Sequence, residues 1–200
     1  MKSFEEVIEF HGHACPGLAL GYRVSVAVLK DFMERASDEE LVAVVENNSC
    51  AVDAIQAMTG CTFGKGNLIF RDYGKQAYSF IKRPSGNGIR ISVIWTAPRE
   101  TENEKKMWNK YMRGDRSEKV LKTIHNRKMQ KINSIMLAKE GELFRIVKRK
   151  MVLPEEAHIY ASLKCAVCKE KVMEPRARVR DGRIVCIPCA EEMPGKGNLS

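Results

Sequence analysis

The chain has 200 residues, 44% of them apolar and 30% charged, which is the balance of a globular protein and excludes a disordered or fibrous one. This length accommodates one sizeable core and one small module. No apolar run is long enough to span a bilayer, and the start of the chain, M-K-S-F-E-E-V-I-E-F, is too acidic for a secretory signal. We therefore expect a cytoplasmic protein, without a membrane partner, whose seven cysteines are reduced.

The net charge of +9 is concentrated in the middle of the chain. Residues 99–150 carry sixteen Lys and Arg against seven Asp and Glu, whereas the flanking stretches are close to neutral. Such a cluster is typical of a surface for nucleic acid, because bound Lys and Arg release counterions from the phosphate backbone. It is equally typical of a solvated helix, and the sequence leaves both interpretations open.

The first predicted element is a short helix. Ser3 and Glu6 have the spacing of a capping box, in which each side chain accepts a hydrogen bond from the other residue's backbone. Phe4 and Val7 then begin an apolar pattern with helical spacing. The glycine at position 12 is expected to end this helix.

A longer apolar helix is predicted to follow. It begins at Pro16 and runs through Met33 to about Ala36, with its charged residues late in the segment. His13 and Cys15 then lie at its N-terminal end. Unpaired backbone N–H groups at such an end stabilise a thiolate, so we expect the pKa of the Cys15 thiol to be lowered.

The rest of the core domain alternates between strands and helices. The predicted elements are a strand at 41–45, a helix at 52–59, strands at 68–70, 78–82 and 89–95, helices at 101–113 and 117–139, and a strand at 143–152. The turn sequence P-S-G-N-G joins two of the strands as an antiparallel hairpin. We expect an α+β fold, an antiparallel sheet with helices, over residues 1–153, followed by a linker and a small zinc domain over 154–200.

Four cysteines near the end of the chain have the spacing of zinc ligands. They occur as C-A-V-C, seventeen further residues, and C-I-P-C, and they are Cys165, Cys168, Cys186 and Cys189. An Asp181-Gly182 hairpin lies between the two pairs, and a helix is expected to begin at Cys189 and to include Met193. A knuckle, a hairpin and a helix form the layout of a treble-clef finger, and four thiolates leave a structural zinc no open coordination position.

The other three cysteines accompany two histidines and a glycine-rich run. Cys15 belongs to the string H-G-H-A-C, Cys50 follows a predicted strand, and Cys61 lies in G-C-T-F-G-K-G-N together with Lys65. All are predicted at the ends of elements, where functional side chains tend to converge. Imidazole and thiolate groups suit either a transition metal or a reactive thiol centre, and the glycine-rich run suits an anion or an ordinary turn.

Two strings of the chain resemble a known family. F-H-G-H-A-C-P-G-L-A-L-G-Y-R at 10–23 and C-A-V-D-A-I-Q-A-M-T-G-C-T-F-G-K-G-N-L at 50–68 are similar to the FmdE family, which is named after formylmethanofuran dehydrogenase. The resemblance covers roughly the first 150 residues, and it implies an α+β core, a homodimer and a link to archaeal or anaerobic one-carbon metabolism. The site residues that it implies are His11, His13, Cys15, Cys50, Cys61 and Lys65.

The leading hypothesis is a metal-binding accessory protein or a small oxidoreductase-related enzyme of this family. It would carry zinc in the finger and a second transition metal in the core, and other dehydrogenase subunits would be possible partners. The alternative is a basic zinc-finger module that contacts nucleic acid, with structural roles for the N-terminal histidines and cysteines.

Overall fold

The structure is a computed structural model that describes residues 1–32 and 35–192. The chain divides into two compact units, residues 1–156 and 157–200. Within the described ranges, none of the helices has both the length and the apolar character required to cross a lipid bilayer.

The first unit contains six helices and five strands among its described residues. The helices are α1 (Phe4–His11), α2 (Pro16–Phe32), α3 (Ala51–Thr59), α4 (Glu102–Met112), α5 (Glu118–Leu137) and α6 (Glu140–Leu143). The strands are β1 (Leu41–Val45), β2 (Leu68–Phe70), β3 (Ala77–Lys82), β4 (Asn87–Val93) and β5 (Phe144–Lys150). The predicted α+β fold is confirmed.

The five strands form one sheet in the order β2-β1-β3-β4-β5. The pairs from β1 to β5 are antiparallel, as expected. The pair of β1 and β2 is parallel, with Ala43 opposite Leu68, and this pairing was not anticipated. Two parallel neighbours require a crossover connection, and α3 is that crossover, so the start of α3 lies near the carboxyl end of β1.

The helices bury one face of the sheet. Val24 and Val28 of α2 pack in one apolar cluster with Ile135 of α5 and with Tyr78 and Phe80 of β3. A second cluster joins α1, α2 and α3 through Val7, Leu18, Ala54 and Met58. These packed helices hold the ends of α1, α2 and α3 in fixed positions.

Local signals set most of the helix ends. The capping box of Ser3 and Glu6 is present, and Gly12 and Gly60 end α1 and α3 with positive φ angles of 94° and 75°. The predicted extension of α2 to Ala36 is wrong, because the Ala36 N–H donates to Thr59 O at 2.8 Å and the residue lies outside any helix. The predicted helical position of Met33 lies outside the described residues.

Helix α5 differs from its predicted apolar face. Leu121 was expected in the core but is 43% exposed. Arg127 is buried instead, and it pairs with Glu100 at 3.1 Å and with Glu104 at 3.6 Å. A buried guanidinium is stable here because carboxylates and carbonyl oxygens surround it.

The second unit is a small finger. Its described elements are β6 (Ser162–Lys164), β7 (Lys171–Met173), a 3₁₀ turn (Glu174–Arg176), β8 (Arg178–Arg180), β9 (Arg183–Val185) and α7 (Ile187–Glu192). The predicted hairpin at Asp181-Gly182 is confirmed as the β8–β9 pair. The helix begins at Ile187, two residues before the expected Cys189, and Met193 lies outside the described residues.

Candidate metal centres

Three helix ends bring a histidine and two cysteines together in the first unit. His11 is the last residue of α1, Cys15 directly precedes α2, and Cys50 directly precedes α3. One potential ligand atom from each of these residues lies within 4.8 Å of the other two. We call this set the core triad. Its members are partly buried, so solvent and small molecules reach it from one side.

Asp53 fixes the orientation of the His11 ring. Its Oδ2 atom lies 2.7 Å from His11 Nδ1, and the His11 side chain is only 10% exposed. The other ring nitrogen, Nε2, then faces Cys15 Sγ at 4.0 Å. In a tetrahedral site with metal–nitrogen and metal–sulfur bonds of about 2.0 and 2.3 Å, these two atoms would be about 3.6 Å apart. The triad is therefore close to the geometry of a metal site, and Asp53 occupies the supporting position of a carboxylate–histidine–metal arrangement.

Cys15 caps the N-terminus of α2. Its Sγ accepts a hydrogen bond from the Leu18 N–H at 3.3 Å, and its carbonyl oxygen accepts from the Ala19 N–H. The expected lowering of its pKa is nevertheless wrong. Burial raises the pKa of the Cys15 thiol, the neighbouring Cys50 thiol raises it further, and the Leu18 N–H offsets this only in part.

Two glycines of α2 allow the start of α3 to approach. A Cβ on Gly17 would lie 3.3 Å from Cys50 Cβ, and a Cβ on Gly21 would overlap with the Ala51 carbonyl group. These glycines are four residues apart and so share one face of the helix. The backbone of α3 packs directly on this face, and that contact places Cys50 beside Cys15.

The other three predicted site residues lie outside the core triad. His13 is exposed, and its ring centroid is 4.5 Å from that of His11. Cys61 is fully buried and donates its thiol hydrogen to Leu41 O, and burial raises its pKa to about 11. Lys65 Nζ donates to the carbonyl oxygens of Ala36, Ser37 and Asp38.

Cys61 lies at the opposite end of α3 from Cys50. A helix of nine residues is about 14 Å long, so the two thiols cannot share one metal ion within this chain. Cys61 and Lys65 instead hold the turn beside β1. The supporting role of Asp53 was not identified from the sequence, although Asp53 lies three residues after Cys50 and hence on the same side of α3.

The finger gathers its four cysteines. The Sγ atoms of Cys165, Cys168, Cys186 and Cys189 lie within 4.8 Å of one another. Cys168 Sγ and Cys186 Sγ are 3.8 Å apart. Two sulfurs bonded to one tetrahedral zinc at about 2.3 Å are separated by about 3.8 Å, so this pair already has the spacing of zinc ligands.

Backbone N–H groups support thiolate character in the finger. The Cys186 N–H donates to Cys165 Sγ at 3.3 Å. Burial acts to raise the pKa of Cys165, but hydrogen bonds from the N–H groups of Cys186, Val167 and Cys168 outweigh it and bring the pKa to about 6. A thiol that ionises near neutral pH is ready to bind metal, because the thiolate is the ligand.

An α+β domain with a His–Cys–Cys group, followed by a four-cysteine finger, defines this chain as a metal-binding protein. The family model described as FmdE, Molybdenum formylmethanofuran dehydrogenase operon, matches residues 10–145. The chain therefore belongs to the FmdE family. The model described as Prokaryotic dksA/traR C4-type zinc finger matches residues 158–193, which supports a structural zinc at the four cysteines.

Two known proteins illustrate the similarity. An Archaeoglobus fulgidus protein named "Probable S-adenosyl-L-methionine-binding protein" is 32% identical over 197 residues, covering 91% of this chain and 50% of the relative. The chain thus spans about half the length of the curated relative it matches. A tungsten formylmethanofuran dehydrogenase FmdE-like protein from Syntrophus aciditrophicus has a TM-score of 0.60 at 23% identity, over 96% of this chain and 95% of that one. This second similarity concerns the fold alone.

Proposed function

We propose that the core triad binds a transition metal through His11 Nε2, Cys15 Sγ and Cys50 Sγ. The observation that carries the proposal is the convergence of these atoms within 4.8 Å, with Asp53 behind the imidazole. A carboxylate in that position fixes the ring tautomer and raises the basicity of the ligating nitrogen. The bland explanation, three unrelated core residues, does not account for the orientation of Nε2 toward the two thiols.

The donor set indicates the kind of metal and the kind of site. Thiolate and imidazole ligands suit zinc and the neighbouring late first-row metals rather than magnesium or calcium. Three protein ligands leave one tetrahedral position for water or a substrate atom, as in catalytic rather than structural zinc sites. A bound metal would supply Lewis-acid chemistry at that open position. Asp53 would keep the ring aligned, and the partly buried thiols would limit access by water.

The biological role that fits best is a metal-binding accessory protein or a small oxidoreductase-related enzyme of the FmdE type. Membership of that family supports a homodimer and contact with dehydrogenase subunits as further proposals. Sedimentation at micromolar concentration tests the first of these. A dimer is expected, and a monomer over that range would contradict it.

Nucleic-acid binding is the second candidate, and the finger supports it. Its basic residues Lys164, Lys169, Lys171, Arg176, Arg178, Arg180 and Arg183 are all exposed. If the finger holds a phosphate backbone, its affinity for a duplex should fall steeply between 50 and 200 mM salt. A mobility shift that is absent at 50 mM salt would dismiss this candidate.

S-adenosyl-L-methionine binding is a third candidate, favoured by the A. fulgidus relative, which matches 91% of this chain. Calorimetry with S-adenosyl-L-methionine tests whether the binding named in that relative lies in the half that the two proteins share. Saturable binding to this chain would support that placement. An affinity no better than that for S-adenosyl-L-homocysteine and adenosine alike would contradict sulfonium recognition.

Elemental analysis of the purified, reduced protein tests the main proposal. The wild type should contain two equivalents of metal per chain, and Cys15→Ser and Cys165→Ser should each lose about one. A wild type with one equivalent that Cys165→Ser abolishes and Cys15→Ser leaves intact would show that the core triad holds no metal.

A further inference from the structure

A cavity of about 270 Å³ lies between α4, α5 and the start of α2. Pro16, the residue after Cys15, forms part of its wall, and Trp108 of α4 and Ile124 of α5 contribute apolar surface. The volume corresponds to about nine water molecules and falls just below the range of about 300–1,000 Å³ typical of drug-sized ligand sites. It therefore suits a molecule with one or two rings rather than a nucleotide or a peptide.

The aromatic wall has one accessible face. Trp108 is 49% exposed, and its ring stacks on Tyr111 with centroids 5.8 Å apart and an interplanar angle of 24°. Stacking on Tyr111 orients the indole, so part of the ring remains available to a flat ligand. A half-exposed tryptophan beside an apolar cavity marks a place where a second ring would bury surface.

The charges around the cavity do not balance. Three cations, Arg127, Lys128 and Lys131, face two carboxylates, those of Glu100 and Glu104. Arg127 pairs with both carboxylates, and Lys131 lies 3.6 Å from Glu100. Lys128 has no hydrogen-bond or ion-pair partner among the residues that the structure describes. One positive charge is thus left over at the wall.

A buried donor at the same wall also lacks a partner. The Arg127 side chain is 9% exposed, and its terminal nitrogens donate to Pro98 O at 2.6 Å and to Arg99 O at 3.2 Å. The Arg127 Nε–H has no acceptor within residues 1–32 and 35–192. An unpaired buried N–H costs about 1–3 kcal/mol, and an anionic oxygen in the cavity would recover much of it.

We propose that this cavity is a binding site for a small aromatic anion, with its ring against Trp108 and Ile124 and its carboxylate between Lys128 and the Arg127 Nε–H. The site goes beyond metal binding, because none of the core triad residues lines it. It lies next to the segment that carries Cys15, so a ligand there would bind beside the triad without depending on it.

The test uses 2-naphthoate as the probe and 2-naphthalenemethanol as its uncharged counterpart. The protein contains two tryptophans, so indole N–H signals in ¹H–¹⁵N spectra report on the cavity through Trp108, with Trp95 as an internal reference. We expect 2-naphthoate to shift the Trp108 signal and to bind at least about tenfold more tightly than the alcohol, as a charge-assisted hydrogen bond would produce.

Two lysine variants separate a specific anion site from general attraction to a basic surface. Lys128→Met should abolish the preference for naphthoate, whereas Lys122→Met, on the exposed part of the same helix, should retain it. Equal affinity for the two probes, a Trp108 signal that does not move, or a preference that survives Lys128→Met would each overturn the proposal. Circular dichroism confirms that both variants remain helical.

Discussion

Asp53 is the residue that turns three neighbouring side chains into a candidate ligand set. Its carboxylate holds His11 Nδ1 at 2.7 Å and leaves Nε2 directed at Cys15 Sγ. Without this contact the ring would be free to rotate about its side-chain bonds, and the ligand geometry would have to be formed anew on binding. The carboxylate thus contributes to metal affinity without contacting the metal.

Asp53→Asn is expected to weaken metal binding at the core triad by about 10–100-fold, because an amide supports the imidazole less strongly. Competition with a chromophoric chelator measures this affinity. Asp72→Asn, at an exposed position away from the triad, is the matched control and should bind metal like the wild type. An affinity unchanged in Asp53→Asn would remove the supporting role assigned to this carboxylate.

Glu40 provides a pH-dependent contribution to stability. Its carboxylate accepts hydrogen bonds from its own backbone N–H and from the N–H groups of Ser37 and Asp38, which lower its pKa from 4.5 to about 2. A carboxyl whose pKa is lower in the folded state stabilises the fold above the unfolded pKa. That contribution is lost as the pH falls from about 4.5 toward 2.

Glu40→Gln should therefore destabilise the protein at pH 7 and have a smaller effect at pH 3. Urea unfolding at the two pH values measures the difference in stability between wild type and variant. Glu9→Gln, at an exposed position of α1, serves as the control and should show a small difference that does not depend on this loop. A Glu40→Gln effect that is equally large at both pH values would contradict the assigned hydrogen bonds.

Single residues could be predicted from the sequence where their chemistry was distinctive. His11, Cys15 and Cys50 were all in the expected site, because imidazole and thiol groups at element ends are conspicuous. Asp53 was not, since an aspartate in the first turn of a helix is common and its partner lies 42 residues away. Cys61 was grouped with the site by its residue type, but its position in space depends on the length of α3.

At the scale of elements, the close packing of α2 on α3 determines where Cys50 lies. Gly21 contacts the Ala51 carbonyl group so closely that no side chain fits between the two helices. Gly21→Ala should destabilise the fold by about 1–3 kcal/mol, despite the better helix propensity of alanine, because α3 must shift outward. That shift should also lower metal binding at the core triad.

Gly141→Ala is the matched control for this substitution. Position 141 also lies in a helix, α6, but no atom lies within 4 Å of the Cβ that alanine would add. The control should be neutral or stabilising by up to about 1 kcal/mol. Thermal unfolding and metal content of both variants distinguish a steric effect from a general effect of replacing glycine. Equal behaviour of the two variants would refute the close-contact explanation.

Most elements were predictable because their signals are local. The capping box at Ser3, the glycines that end α1 and α3, and the P-S-G-N-G turn each act within a few residues. The parallel pairing of β1 with β2 and the capping of the end of α5 by Arg23 were not predictable. Arg23 reaches Met136 O and Ala138 O, more than 110 residues along the chain, and periodicity carries no information about such contacts.

At the scale of the whole molecule, the two candidate metal sites have different characters. The finger has four thiolates and a closed shell, which stabilises a small unit that has little core of its own. The core triad has three ligands, a supporting carboxylate and one open position. The central claim is that both bind metal, the first for structure and the second for function.

Titration of the metal-free, reduced protein with Co²⁺ tests this claim most directly, because cobalt–thiolate absorption reports each occupied site. We expect two equivalents in the wild type, one in Cys50→Ser, and two in Cys61→Ser, whose cysteine lies at the far end of α3. Absorption that saturates at one equivalent in the wild type, or at two equivalents in Cys50→Ser, would contradict a metal site at His11, Cys15 and Cys50.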